Sequence, residues 1–119
     1  MGSTPSRLDG SRVGYSDVGV GDPALVFVHG LVGNHTDFDH QVKAFSDAHR
    51  TVSIDLPGLA TPAPERKVWT MAAFGEDVAT VADHLGLRDM VLVGHSLGGD
   101  VIVEAALRLQ GRVRGSVWV

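Results

Sequence analysis

The sequence predicts an α/β domain with a doubly wound, mostly parallel sheet and an antiparallel hairpin at its N-terminal edge. Three observations carry this reading. Continuous apolar runs at 24–28 ("ALVFV"), around "TVSID" and in "DMVLVG" have the pattern of strands buried on both faces rather than the alternation of a half-exposed strand. Stretches with helical periodicity separate them, the order expected of right-handed crossovers between parallel strands. Before the first run, "RLDGSRVGYSDVGVGDP" places β-like segments about Asp9-Gly10 and stops at Gly-Asp-Pro, which reads as a hairpin.

Each element follows from local chemistry. "MGSTPS" at 1–6 has no apolar pattern and is expected to be disordered. After the 24–28 strand, Phe38, Val42 and Phe45 recur at i, i+4 and i+7, predicting a helix of about three turns with one apolar face. "TVSIDLPG" is a strand closed by Pro57-Gly58, and "TPAPERKVW" is a proline-containing loop. Thr70 is placed to cap a helix whose buried face is Met71, Phe74, Val78, Val81 and Leu85, with Gly86 as its stop. "DMVLVG" is the next strand, "LGGDVIVEAALRLQ" a helix ending at Gly111, and "VRGSVWV" a further strand.

Composition limits the function classes. The 119 residues are 44% hydrophobic and 20% charged, with a net charge of −4, which gives no basic surface for nucleic acid. The chain has no cysteine, so disulfides and thiolate metal sites are excluded. "MGSTPSRLDG" lacks a signal-peptide apolar region, and no run approaches the ~20 residues of a membrane span, so the reading is a cytoplasmic protein with no membrane association.

The chemistry-bearing stretch is "VLVGHSLGGD", a Gly-x-Ser-x-Gly turn between a strand and a helix. With 15 glycines in the chain, such a pattern arises by chance about 0.1 times, so its context decides. A sharp strand-to-helix turn holds a serine hydroxyl at the carboxyl end of the strand and aims the next backbone N–H into the site. Here "MVLV" precedes Ser96 and "VIVEAAL" follows it, while Gly94 and Gly98 stand where side chains would collide in the turn.

Four stretches together resemble the N-terminal half of the α/β-hydrolase fold family, in that family's order and over nearly the whole chain. "VFVHG" with "LVGNHTDF" resembles its oxyanion loop, "IDLPG" the end of its fourth strand, "TMAAFGEDVATVADHLGL" the helix before the nucleophile strand, and "VLVGHSLGG" the nucleophile elbow. The resemblance implies a truncated α/β-hydrolase fold, with Ser96 as the nucleophile and the backbone N–H groups of Leu31 and Leu97 as the oxyanion hole. It implies motif support from His29, Gly30, Gly94, His95 and Gly98, a small-molecule ester-like substrate, and neither cofactor nor metal. Ser96 argues against the dehalogenase branch, which uses an aspartate nucleophile. Lyases, perhydrolases, C–C hydrolases and acyltransferases share the elbow and stay open.

Two departures accompany the resemblance. The loop after the fourth strand reads "PGLATPAP" rather than Gly-His-Gly-x-Ser. In the family the acid and then the histidine follow later strands, yet beyond Ser96 this chain holds Asp100 and Glu104 on the next helix and no histidine. The base is therefore expected beyond Val119, the chain to be incomplete, and the isolated 119 residues to be inactive. His29 is expected to brace the oxyanion loop and His95 to pack beside the turn or form a pocket wall, whereas His35, His40, His49 and His84 read as solvated. Asp37 and Asp39 beside His35 and His40 suit the positive end of a helix dipole better than a metal cluster. Asp55 reads as a loop brace, and Trp69 and Trp118 as core or edge packing.

The expected activity is esterase- or lipase-like acyl transfer to water; the alternative is a non-catalytic α/β module that binds a small molecule or a partner. If "VRGSVWV" is an uncovered edge strand, it also predicts self-association.

Overall fold

The structure, a computed structural model, describes residues 1–119. The apolar runs pair into one six-stranded sheet of order β1-β2-β4-β3-β5-β6, built from β1 (Gly2–Pro5), β2 (Arg12–Val18), β3 (Ala24–Val28), β4 (Thr51–Asp55), β5 (Met90–Gly94) and β6 (Val113–Trp118). β4, β3, β5 and β6 are parallel, whereas β1–β2 and β2–β4 are antiparallel. The parallel strands place Val28, Asp55 and Gly94 at one carboxyl edge, where the order of connection reverses between β3 and β5. Such a switch point opens a crevice outside the strand ends.

One expectation is corrected at the N-terminus. Residues 1–6 are not disordered: Gly2–Pro5 is the edge strand β1, in register with Arg12–Tyr15. The hairpin exists, but Arg7 and Leu8 lie in its connection. Backbone ladder bonds and a glycine hold this strand rather than apolar side chains: a Cβ at Gly2 would strike the Tyr15 ring. Thr4 and Ser6 are buried nonetheless. Sequence patterning is blind to a strand stabilised this way.

Helix α2 (Met71–His84) begins where Thr70 accepts a hydrogen bond from the Ala73 N–H, and Gly86 follows it at φ +66°. Its Phe74, Val78 and Val81 join Val26, Val28, Val52, Ile54 and Leu92 of the sheet in one core of 19 buried residues. Ala79 is buried as well, whereas Asp77 and Thr80 are buried against Arg66 and the backbone N–H of Arg7, and α3 (Leu97–Arg108) packs along the flank of α2. The approach is close enough that a Cβ at Gly75 would meet Glu104.

The other sheet face is covered differently from the expectation. Instead of three regular turns, a 3-10 turn (His35–Phe38) precedes α1 (Asp39–Phe45). Asn34 and Asp37 form a capping box at its start. Phe38 is buried and stacks on Phe27 with centroids 4.9 Å apart, but Val42 is half-buried and Phe45 is exposed. Only the 3-10 turn packs substantially on β3 and β4, so the apolar stripe runs past the part of the sheet it could cover.

A buried ion pair fastens the loop that the sequence showed only as proline-rich. Arg66 donates to both carboxylate oxygens of Asp77 at 2.6 and 2.7 Å, and both side chains are fully buried. The same guanidinium donates to Asp9 in the hairpin connection at 3.0 and 3.2 Å, lowering the Asp9 pKa to about 2. Removing one member leaves a buried charge without its partner, a loss of about 3–5 kcal/mol. Arg66→Met should therefore lower stability in urea by about that amount, and Arg66→Met with Asp77→Leu by distinctly less. Equal losses in the single and double variants would show that the pair is not the fastening.

Candidate active site

β5 ends at Gly94 and α3 starts at Leu97, so His95 and Ser96 make the whole strand-to-helix turn. Ser96 sits at φ 55°, ψ −118°, the one non-glycine residue with positive φ. That conformation costs about 1–3 kcal/mol and persists only where the surroundings impose it. They do so from both sides. The His95 N–H donates to the Val28 carbonyl of β3 at 3.0 Å, and the Ser96 N–H to the Val119 carbonyl beyond β6 at 2.9 Å. Side chains cannot enter the turn: a Cβ at Gly94 would strike the Gly98 carbonyl, and one at Gly98 the carbonyls of Val28 and His29. Ser96 is exposed and makes no side-chain cap bond to α3, so its hydroxyl is uncommitted.

The loop after β3 is the second half of the site. His29 is fully buried; its Nε2 accepts from the Leu56 N–H at 3.0 Å and its Nδ1 lies 2.7 Å from the Gly30 carbonyl. One nitrogen accepts while the other donates, which is the neutral ring protonated on Nδ1. Gly30 passes so near the turn that a Cβ there would lie 3.4 Å from the Ser96 Cβ. The backbone N–H groups of Leu31 and Leu97 have no acceptor within the chain. Leu31 and Ser96 line a shallow hollow of about 350 Å³ with Gly30, Val32, Gly33, Asp37 and His95. A second hollow of about 460 Å³ adjoins it, between Phe38, Val93 and Val119.

The remaining candidates sort by their contacts. His95 is exposed, lines both hollows and makes no ring hydrogen bond. His35 is not a solvated residue: its backbone N–H donates to Asp55 at 2.7 Å and its ring Nδ1 lies 2.9 Å from the same carboxylate. His49 likewise reaches the Pro23 carbonyl at 2.9 Å. Asp55, buried at the end of β4, thereby holds the start of the 3-10 turn. No group of His, Asp and Glu side chains is arranged to hold a metal ion. Trp118 does more than pack at the edge: its indole N–H donates to the Ser96 carbonyl at 3.0 Å. Nothing in the spacing of the sequence signals that contact, which depends on the register of β6.

Burial lowers the His29 pKa below its ordinary 6.5, with the hydrogen bond to Gly30 opposing only in part. The folded state thus binds a proton at His29 less readily than the unfolded chain. Stability is full above pH 6.5 and falls as the pH drops through 6.5 toward the folded pKa. An NMR titration of the His29 ring should give a midpoint below 6.5; one at or above 6.5 would contradict the neutral buried ring.

With this geometry established, comparison with known proteins gives its family. The family model described as the alpha/beta hydrolase fold matches residues 23–119. The chain is 33% identical over 106 residues to the dihydrolipoyllysine-residue acetyltransferase component of the acetoin cleaving system of Cupriavidus necator, covering 89% of this chain and 28% of that protein. It is 34% identical over 113 residues to a non-heme haloperoxidase of Rhodococcus erythropolis, covering 93% and 41%. Among solved structures it superposes on a thermophilic esterase from Thermogutta terrifontis with a TM-score of 0.86 and 28% identity, over 98% of this chain and 44% of the esterase. The chain spans less than half the length of these relatives. A family match over residues 23–119, and a mixed sheet with its strand-to-helix turn at the carboxyl edge, make the chain a member of the alpha/beta hydrolase fold family.

Proposed function

We propose that Ser96 is the nucleophile of a hydrolase that transfers the acyl group of a small ester-like substrate to water. The observation that carries this is the Ser96 turn itself. A strained, exposed serine with an uncommitted hydroxyl stands beside the unpartnered N–H groups of Leu31 and Leu97. In this reading Oγ attacks the substrate carbonyl and gives up its proton to a base, and the carbonyl electron pair moves to oxygen. The Leu31 and Leu97 N–H groups stabilise that oxyanion, a contribution of ~10²–10³ in turnover per donor. Collapse expels the alcohol with a proton, and water then releases the acid from the acyl-enzyme. The structural likeness to the Thermogutta terrifontis esterase supports the choice of an ester.

The base is the part these residues do not bring to Ser96, since none of the histidine rings hydrogen-bonds to its hydroxyl. The reading therefore takes the base, and the acid that orients it, from outside residues 1–119. Loss of the histidine in hydrolases of this logic costs about 10⁶ in turnover. The 119-residue chain should leave a short activated ester and a serine-directed phosphonate untouched. The chain extended by the C-terminal half of a family member should hydrolyse the one and be labelled at Ser96 by the other, and Ser96→Ala should abolish both. Comparable hydrolysis by the short chain would mean that His95, exposed and without a ring hydrogen bond, reaches Ser96. Survival of activity in the extended Ser96→Ala protein would refute the nucleophile.

The substrate class is joined by one macromolecular expectation. β6 has no strand on its outer side, and Val117, Trp118 and Val119 are exposed there together with Val103 and Leu107 of α3. The one charge on β6, Arg114, is tied to Asp89; an open edge strand pairs with other strands, so the 119-residue chain should self-associate. A stable monomer in sedimentation velocity at high concentration would remove this part of the proposal.

A further inference from the structure

The carbonyl oxygen of Ser96 accepts two hydrogen bonds, from the Gly99 N–H at 2.8 Å and from the indole N–H of Trp118 at 3.0 Å. The Leu97 N–H is the other end of that same peptide group. Because a peptide is planar, holding its oxygen also sets the direction of its N–H. Hydrogen bonds in series polarise one another, so a carbonyl that accepts twice makes its own N–H a stronger donor. The Leu97 N–H heads α3 with no acceptor in the chain.

The way in for the indole is built from two features. Parallel pairing of β5 with β6 sets Trp118 opposite Gly94, level with the turn. On α3, Gly99 leaves a notch that the ring fills: a Cβ at Gly99 would collide with Nε1, Cδ1 and Cε2 of Trp118. Trp118 is 64% exposed, so burial alone does not account for where its polar edge points.

We propose that Trp118 is a positioning residue that fixes and polarises the Ser96–Leu97 peptide, aiming the Leu97 N–H at the oxyanion. The proposal deepens the hydrolase reading and rests on Leu97 being an oxyanion donor. It assigns Trp118 no contact with substrate. The competing roles are packing against Gly99 and forming a wall of the neighbouring hollow, and neither passes through the Ser96 carbonyl.

The test is NMR on the ¹⁵N-labelled 119-residue chain, which reads the peptide directly and needs no turnover. Trp69 is the internal control, because it is 47% exposed and its indole N–H has no acceptor in the chain. The Trp118 indole proton should exchange with solvent about tenfold or more slowly than that of Trp69. Trp118→Phe keeps an aromatic ring and removes the donor; it should move the Leu97 ¹⁵N resonance upfield by more than any amide of β1 to β4. Gly99→Ala, which favours the helix but fills the notch, should expel the indole and move Leu97 in the same direction. Equal exchange at the two indoles would overturn the proposal. So would an unmoved Leu97 resonance in Trp118→Phe with an unchanged urea midpoint, the result expected of packing alone. Failure of the ester and phosphonate experiments would instead refute Ser96 as nucleophile and leave the Leu97 response intact.

Discussion

Everything at the carboxyl edge of the sheet depends on how closely the first turn of α3 approaches the end of β3. Gly98 lies against the carbonyls of Val28 and His29 with no room for a Cβ. That contact brings the turn carrying Ser96 beside the loop carrying Leu31, two segments far apart in sequence. It also forces the chain to leave β5 and enter α3 within two residues, which is why Ser96 takes a positive φ that a serine would otherwise avoid. The strain is held by backbone bonds to strands on both sides, to Val28 of β3 and to Val119 after β6.

The loops around this contact are tied down by polar groups rather than by apolar packing. His29 bridges Gly30 and the Leu56 N–H, Asp55 holds His35, and Arg66 joins the long loop to α2 and to the hairpin connection. Each tie is directional and satisfied, as a buried polar group requires. Together they let irregular backbone keep a fixed shape at an edge where no helix or strand can provide one. The hydrophobic core lies elsewhere, between the sheet and the pair α2 and α3, and it sets the platform rather than the site.

The two sheet faces differ in a way that bears on the chemistry. Beneath α2 and α3 the core is closed, while on the opposite face Phe27, Thr51 and Ser53 are buried, Phe27 under Phe38, and Val93 is only half-buried. The hollow bounded by Phe38, Val93 and Val119 opens on that side and reaches His95. The edge of β6 is open on the same flank, so the surroundings of Ser96 are shaped on one side by this chain and exposed on the other.

By itself the sequence determined the platform and the reactive turn. Continuous apolar runs, the Thr70 cap, the Gly86 stop and the Gly94, Ser96, Gly98 spacing are local signals, and local signals suffice where the stabilising force is periodic burial or steric exclusion within a few residues. The resemblance of the four motifs extended that reading to the family. What only the tertiary structure decided were relations across the chain. β1 is a strand because β2 offers it a ladder, although its own residues are polar. Arg66 is buried because Asp77 and Asp9 converge on it, His35 is a tie because Asp55 ends β4 beside it, and Trp118 reaches Ser96 because of the register of β6. Each is a directional hydrogen bond between residues brought together by topology, and no pattern within one segment encodes where its partner will be.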